Sequence, residues 1–339
     1  MGTKVRMSDI AKTVGVSTVT VSRALAGKEG VGDAMRERIL RTAMDMGYHP
    51  KISAKPSANA GTINEALSET VGILLSCRFI GKGRTFYWDM CERVLESLSE
   101  NDIFGILEPV KLRDESEGNL PRLICSGDRI QALLLIGQLK QHYVEALAAT
   151  GLPIVQLDAY SIDAKLDTVI SDGYYGMYAM TAYLLRCGHR KIAYVGSIGA
   201  TSSIADRYFG YCRALQERNI PVRQDWVIPD RKEHEKVLLP LPEDMPTAFV
   251  CNCDSVAYNL IQRLNEEGFR VPEDVSVVGF DGYSPVPVTP ALATYAVNIK
   301  GMAEASVKQL MNRLADPDRI PEMCIVPGHF VAGKSVKSI

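Results

Sequence analysis

From about residue 71 onward the chain alternates short apolar runs with amphipathic stretches of ten or more residues. The runs at 71–75, 132–136, 153–157, 191–195, 247–250 and 275–279 are continuous rather than alternating. That is how strands covered on both faces of a parallel sheet read. Strand and helix in alternation predict a doubly wound α/β body. Such sheets bind ligands beyond the carboxyl ends of their strands, so polar residues just after a run are candidates for a site. Asp158 and Asp281 stand there, and Arg207 follows the run that ends at Val195. Two carboxylates and a planar guanidinium suit a small polyhydroxylated ligand, although each residue alone also reads as a loop charge or helix cap.

The first fifty residues carry a different period. Two short helical patterns meet at Val14-Gly15-Val16, with Ser8 and Ser17 where N-caps would sit. At about 100° per residue, Thr18, Val19, Ser22 and Arg23 share one face of the second helix, and Thr20, Val21 and Ala24 share the other. A third helix is expected from Asp33 to about Met46, stopped by Gly47. The result is a helix-turn-helix whose free face suits a major groove, though the shape also serves as a plain packing module. Charge bears on that choice. Residues 1–58 hold ten Lys or Arg against five Asp or Glu, a net of +5, which leaves −7 for the rest of a chain whose total is −2. A basic head on an acidic body confines phosphate attraction to one end.

Composition narrows the remaining classes. The chain has 339 residues, 46% of them hydrophobic and 23% charged, enough for a small head and a two-lobed body. No apolar run approaches membrane-spanning length and no secretory leader is visible, so a cytoplasmic protein without membrane association is expected. Eight scattered cysteines and five histidines show no metal-ligand spacing, and Cys251 and Cys253 read as reduced strand residues. Gly196-Ser197-Ile198-Gly199 is only half of a dinucleotide fingerprint, and no phosphate-binding loop or nucleophile elbow occurs. Neither an enzyme nor a bound cofactor or metal is expected.

The string Asp9-Ile10-Ala11 … Gly15-Val16-Ser17-Thr18-Val19-Thr20-Val21-Ser22-Arg23-Ala24-Leu25, with Arg36-Glu37-Arg38-Ile39 and Gly47-Tyr48-His49-Pro50, resembles the headpiece of the lactose and galactose repressor family. Asp172-Gly173, Gly188-His189-Arg190-Lys191-Ile192-Ala193, Arg207-x-x-Gly210-Tyr211, Cys253-Asp254-x-x-Ala257 and the stretch Val271-Pro272-Glu273-Asp274-Val275-Ser276-Val277-Val278-Gly279-Phe280-Asp281 resemble the same family, in the same order. The resemblance implies a helix-turn-helix head at 1–50, a hinge at 51–70 and an effector-binding, dimerising body at 71–339. The body would be periplasmic-binding-protein-like, with one lobe at about 71–171 and 300–324 and the other at about 172–299 and 325–339. It implies a homodimeric regulator, commonly a repressor, that binds operator DNA under control of a small effector. Ser8, Ser17, Thr18, Val19, Ser22 and Arg23 would meet DNA, with Thr18 and Val19 reading bases. Asp158, Arg207 and Asp281 would hold the effector, joined by Phe86, Tyr87, Ser203 and Cys253. A sugar fits that set better than a nucleobase, which would want more stacking and amide groups. No heptad tail follows Gly328, so a dimer is expected rather than a tetramer.

Three segments depart from the family pattern. Pro56 lacks the amide that a hinge helix needs and Ser57 cannot act as an apolar wedge, leaving Lys51 and Lys55 as phosphate contacts or as parts of a flexible linker. Cys253 stands where relatives often place an asparagine. Where relatives tend to carry an aromatic residue, the run from Pro229 to Lys236 is charged and reads as a solvated helix or loop. These departures keep a second reading open, a solute-binding sensor whose head does not bind DNA.

Overall fold

The computed structural model describes residues 7–25, residues 32, 35, 38, 39 and 42, and residues 70–339 apart from 81–84, 126–129, 162, 233–234, 237–238 and 284–288. It forms two compact units, 1–66 and 67–339.

In the head, α1 (Met7–Val14) and α2 (Thr18–Leu25) are joined by a turn at Gly15. Gly15 sits at φ +77°, and its N–H and that of Val16 both donate to Ala11 O, at 2.9 and 3.0 Å. A Cβ at Gly15 would meet no atom within 4 Å, so glycine is required there by backbone conformation and not by crowding. Ile10, Ala11, Val14, Val21, Ala24 and Ile39 close a small core, with Val16 and Met35 against it. Of the expected third helix, Met35, Arg38, Ile39 and Thr42 are described and are helical. Ser8 requires a correction. It is the second residue of α1 (Met7–Val14) and so lies within its first turn rather than at the cap.

The body contains two six-stranded sheets. In the first, β1 (Thr70–Ser76), β2 (Phe104–Val110), β3 (Ile130–Ile136), β4 (Ile154–Leu157), β5 (Asp167–Ser171) and β13 (Met323–Val326) run parallel in the order β13-β5-β4-β3-β1-β2. In the second, β6 (Ile192–Val195), β7 (Val227–Ile228), β10 (Ala248–Cys251), β11 (Ser276–Asp281), β12 (Ala293–Ala296) and β14 (His329–Val331) take the order β14-β12-β11-β10-β6-β7, with only β14 antiparallel. Helices α3 (Phe86–Glu100), α4 (Leu112–Glu117), α5 (Arg122–Cys125), α6 (Gln141–Ala148) and α10 (Ile299–Ala315) flank the first sheet; α7 (Gly173–Arg186), α8 (Ser202–Gln216) and α9 (Asp254–Glu266) flank the second. Each sheet therefore has a buried core on both faces, which is why its strands read as uninterrupted apolar runs. All six runs singled out in the sequence fall on strands.

The chain passes between lobes three times, after β5, after β12 and after β13. Ile325 and Val326 pair with Ile170 and Ser171 in the first sheet, so the last passage comes two residues later than the 324/325 boundary expected from sequence. The charged run also differs from expectation. Arg231–Lys232 (β8) and Glu235–Lys236 (β9) form a short antiparallel hairpin, and Asp230 is buried. Proline and charge suggested a solvated segment, but at its start Asp230 is buried in an ion pair with Arg231. Among the described residues no helix is long and apolar enough to cross a membrane.

Candidate functional site

In the head, Ser17 caps α2: its Oγ accepts from the Thr20 N–H at 3.1 Å and lies 2.9 Å from the Thr20 hydroxyl. Burying Val21 and Ala24 against α1 leaves Thr18, Val19 and Arg23 exposed, Val19 at 61%. Ser22 lies on the same helix, while Lys51, Lys55 and Pro56 fall outside the described residues.

In the body, the strand ends gather Tyr87, Asp158, Arg207 and Asp281. Asp158 directly follows β4 and Asp281 ends β11, both with positive φ, 61° and 101°. Such backbone turns the side chains out of the sheet and is uncommon without glycine, although aspartate tolerates it better than most residues. Thr85 caps α3 by accepting from the Trp88 N–H, which sets Phe86 and Tyr87 at the helix start. The Tyr87 hydroxyl donates to Asp158 Oδ2 at 2.9 Å; Oδ1 is buried without a hydrogen-bond partner. Arg207, 4% exposed on α8, donates from Nη1 to the Asn252 carbonyl at 2.7 Å and lies over the Phe280 ring at 4.0 Å. Its Nη2 is 3.0 Å from Asp281 Oδ1, an ion pair whose angle leaves that oxygen without a directed hydrogen bond; Arg207 Nε is likewise unpartnered. Buried polar atoms are normally paired, so three open positions in one cluster mark where a ligand's own donors and acceptors would complete the set.

Electrostatics follow from burial. Desolvation pushes the Asp281 carboxyl up to about 7, with Arg207 opposing and Asp158 adding to the rise. Asp158 is raised by the same cause, held back by Arg207 and the Tyr87 hydroxyl. Asp254, at the start of α9, accepts from the Thr294 hydroxyl at 2.6 Å and the Tyr283 N–H at 2.8 Å. Its burial, together with Asp281, raises it to about 8. Cys253 lies close enough to Asp281 and Arg231 to feel both charges; its thiol sits 3.2 Å from the Ser255 hydroxyl and burial pushes it up to about 11, so it is a neutral wall. Ser203 pairs with Thr201 at 3.0 Å rather than with the cluster. Phe86 packs edge-on to Tyr87 and to Tyr283.

Sequence reasoning missed several residues here. Arg231 is held by the buried Asp230 at the carboxyl end of the second sheet and its charge opposes the rise of Cys253 and Asp281, though its run reads as surface. Tyr160 donates to Asp206 Oδ1 at 3.0 Å, and the Ser202 N–H donates to Gln138 Oε1 at 3.3 Å, each joining one lobe to the other. Tyr160 was legible in principle, two residues beyond Asp158 on the same strand-end loop; its partner was not.

Comparison with known proteins matches both parts. The family model "Bacterial regulatory proteins, lacI family" covers residues 6–51, and "Periplasmic binding protein-like domain" covers 181–336. The "Probable HTH-type transcriptional repressor ExuR" of Bacillus subtilis is 25% identical over 99% of this chain and 99% of its own length. The "Ribose operon repressor" of Haemophilus influenzae is 25% identical over 98% of this chain and 99% of its own. Among solved structures, the "transcriptional regulator CelR-cellobiose complex" superposes with a TM-score of 0.67 at 21% identity, covering 98% of this chain and 99% of that one. The lac repressor dimer bound to operator and an anti-inducer gives 0.63 at 18%, covering 99% and 100%. With head and body matched in order along the full length, the chain belongs to the lacI family of bacterial regulatory proteins.

Proposed function

We propose that a sugar bound between the lobes controls how this chain, a transcriptional repressor and not an enzyme, holds its operator. The observation that carries the reading is the cluster of open buried atoms on Asp158, Arg207 and Asp281, contributed by both lobes. A polyhydroxylated ring supplies donors for the two carboxylates and acceptors for the guanidinium together, and so favours one closure of the lobes over another. That relatives are named as a ribose operon repressor and a cellobiose complex supports the ligand class. In the head, Thr18 and Val19 would read bases, Ser17 and Ser22 the backbone or base edges, and Arg23 a base or phosphate. Lys51 and Lys55 would add phosphate contacts from the hinge. One such head buries too little surface for specific affinity, so two act together in a cytoplasmic homodimer on a near-palindromic site.

Fluorescence anisotropy with DNA from upstream of the protein's own operon, at fixed salt, tests this. Specific binding that shifts when a sugar is added, and an Arg207→Ala protein that binds DNA but ignores the sugar, are the expected results. Sugar binding without any specific DNA complex would instead establish the sensor reading.

A further inference from the structure

β7 is the edge strand of the second sheet, pairing Val227 and Ile228 with Tyr194 and Val195. Asp230 and Arg231 therefore leave the sheet at its carboxyl end, on the rim that carries Asp281. Asp230 is 4% exposed; its Oδ1 accepts from the Ser197 N–H at 2.8 Å, and its Oδ2 accepts from Arg231 Nε at 2.9 Å and from Nη2. The Ser197 hydroxyl accepts from the N–H groups of Asp230 and Arg231, both at 3.2 Å, and lies 3.0 Å from the Arg231 carbonyl. Backbone and guanidinium are thus both fixed. Asp230 occupies the Nε side of the fork; the Nη1 side has no partner among the described residues, and the side chain is 28% exposed. This open side belongs to the group that feels Tyr87, Cys253 and Asp281.

We propose that Arg231 sets the ligand class of the cleft: the effector is an acidic sugar whose carboxylate docks on the open side of this guanidinium while its hydroxyls meet Asp158 and Asp281. The proposal rests on the sugar reading above and sharpens it. A guanidinium held by a buried carboxylate has most of its ordering cost met before a ligand arrives, and its remaining fork matches a planar carboxylate. Charge limits the choice further. Asp230 already offsets Arg231, Asp281 offsets Arg207, and Asp158 adds a negative group, so a dianionic phosphate is disfavoured where a single carboxylate is accepted.

Isothermal titration of the full chain with galacturonate and glucuronate, with galactose and glucose, and with galactose 6-phosphate decides the matter. One acid should bind at least about tenfold more tightly than its neutral counterpart and than the phosphate, a charge-assisted fork being worth about that much. Arg231→Gln, checked for folding by thermal denaturation, should remove that preference and leave the neutral sugar within about threefold. Arg231→Lys, which keeps the charge without the fork, should recover only part of it. Equal affinity for acid and neutral sugar, tighter phosphate binding, a full preference in Arg231→Lys, or an equal loss for both ligands in Arg231→Gln would each overturn the proposal while leaving the sugar reading intact. No heat from any probe would overturn both.

Discussion

Counted from the β13 edge, the third strand of the first sheet is β4; counted from β14, the third strand of the second is β11. An aspartate at positive φ stands at the end of each, Asp158 directly after β4 and Asp281 as the last residue of β11. The next repetition is at α3 and α8, which follow β1 and β6 and start from a threonine cap that accepts from the N–H three residues on, Thr85 to Trp88 and Thr201 to Ile204. On that shared frame the lobes place different chemistry. Two residues past the cap the first lobe has Tyr87, which donates one neutral hydroxyl to Asp158, where the second has Ser203; one turn further the second has Arg207, which pairs its own aspartate with a full charge. Equivalent carboxylates are thus stabilised by a hydroxyl on one side and a guanidinium on the other. The fold fixes where the two carboxylates stand; the residues at the helix starts decide how each is held.

Removing the two partners should therefore have unequal effects. Arg207→Ala leaves Asp281 buried beside Asp158 without its counter-charge, and should cost about 3 kcal/mol of stability at pH 8 together with ligand response. Tyr87→Phe removes one hydroxyl and should cost about 1 kcal/mol. Denaturant unfolding of the two variants checks the order, and an equal loss would break the contrast. A pH series sharpens it. Asp281 and Asp254 have folded values near 7 and 8, above the ordinary carboxylate range, so the folded state holds more protons than the unfolded chain between about pH 4 and 8. Stability is then fully present below about pH 4, falls by about 1.4 kcal/mol per unit for each such group as pH rises towards its folded value, and levels off above 7 for Asp281 and above 8 for Asp254. Asp281→Asn should flatten the slope between about pH 4 and 7 and leave the part from 7 to 8, which Asp254 carries, and an unchanged slope below 7 would remove Asp281 as its source.

How much of this was legible depends on burial. The central strands announced themselves because both faces are covered, whereas β2, with Phe104 exposed at its head, and β5, opening on Asp167 and Thr168, did not. β13 and β14 are edge strands with exposed Met323, Ile325, Phe330 and Val331; β13 is a four-residue apolar run cut short by Glu322 and Pro327, and β14 is only three residues long. The aspartates at strand ends were visible by position, and Arg207 by its motif. Arg231 was not, because a charged residue beside its counter-ion looks the same in sequence whether the pair is solvated or half-buried.

The matched aspartates also allow a backbone test. At φ 61° and 101° a β-carbon is strained, and aspartate and asparagine are the side chains that bear it best. Asp158→Asn should therefore keep stability within about 0.5 kcal/mol, while Asp158→Ala should lose about 1–2 kcal/mol. If both cost the same, the carboxylate and not the backbone is the constraint. Repeating the pair at Asp281 gives the asymmetric result, because there Asn also removes the counter-charge of Arg207.

The smallest effect concerns the joint between the lobes. Tyr160, two residues after Asp158, donates to Asp206, which immediately precedes Arg207. The bond therefore links the loop that carries one site carboxylate to the helix that carries the site guanidinium, and it exists only while the lobes are this close. Burial raises Asp206 while the Tyr160 hydroxyl pulls it back, so the interaction is partly desolvated. Tyr160→Phe keeps the ring and should weaken sugar affinity by about 1 kcal/mol, roughly fivefold, if the ligand favours the lobe arrangement in which this bond forms. Thermal stability without ligand should fall by a similar amount if the closed form dominates when empty, and should stay unchanged if the open form does. Unaltered affinity together with unaltered stability would show that the Tyr160 hydroxyl plays no part in closure, leaving the Gln138 to Ser202 contact as the described hydrogen bond between the lobes.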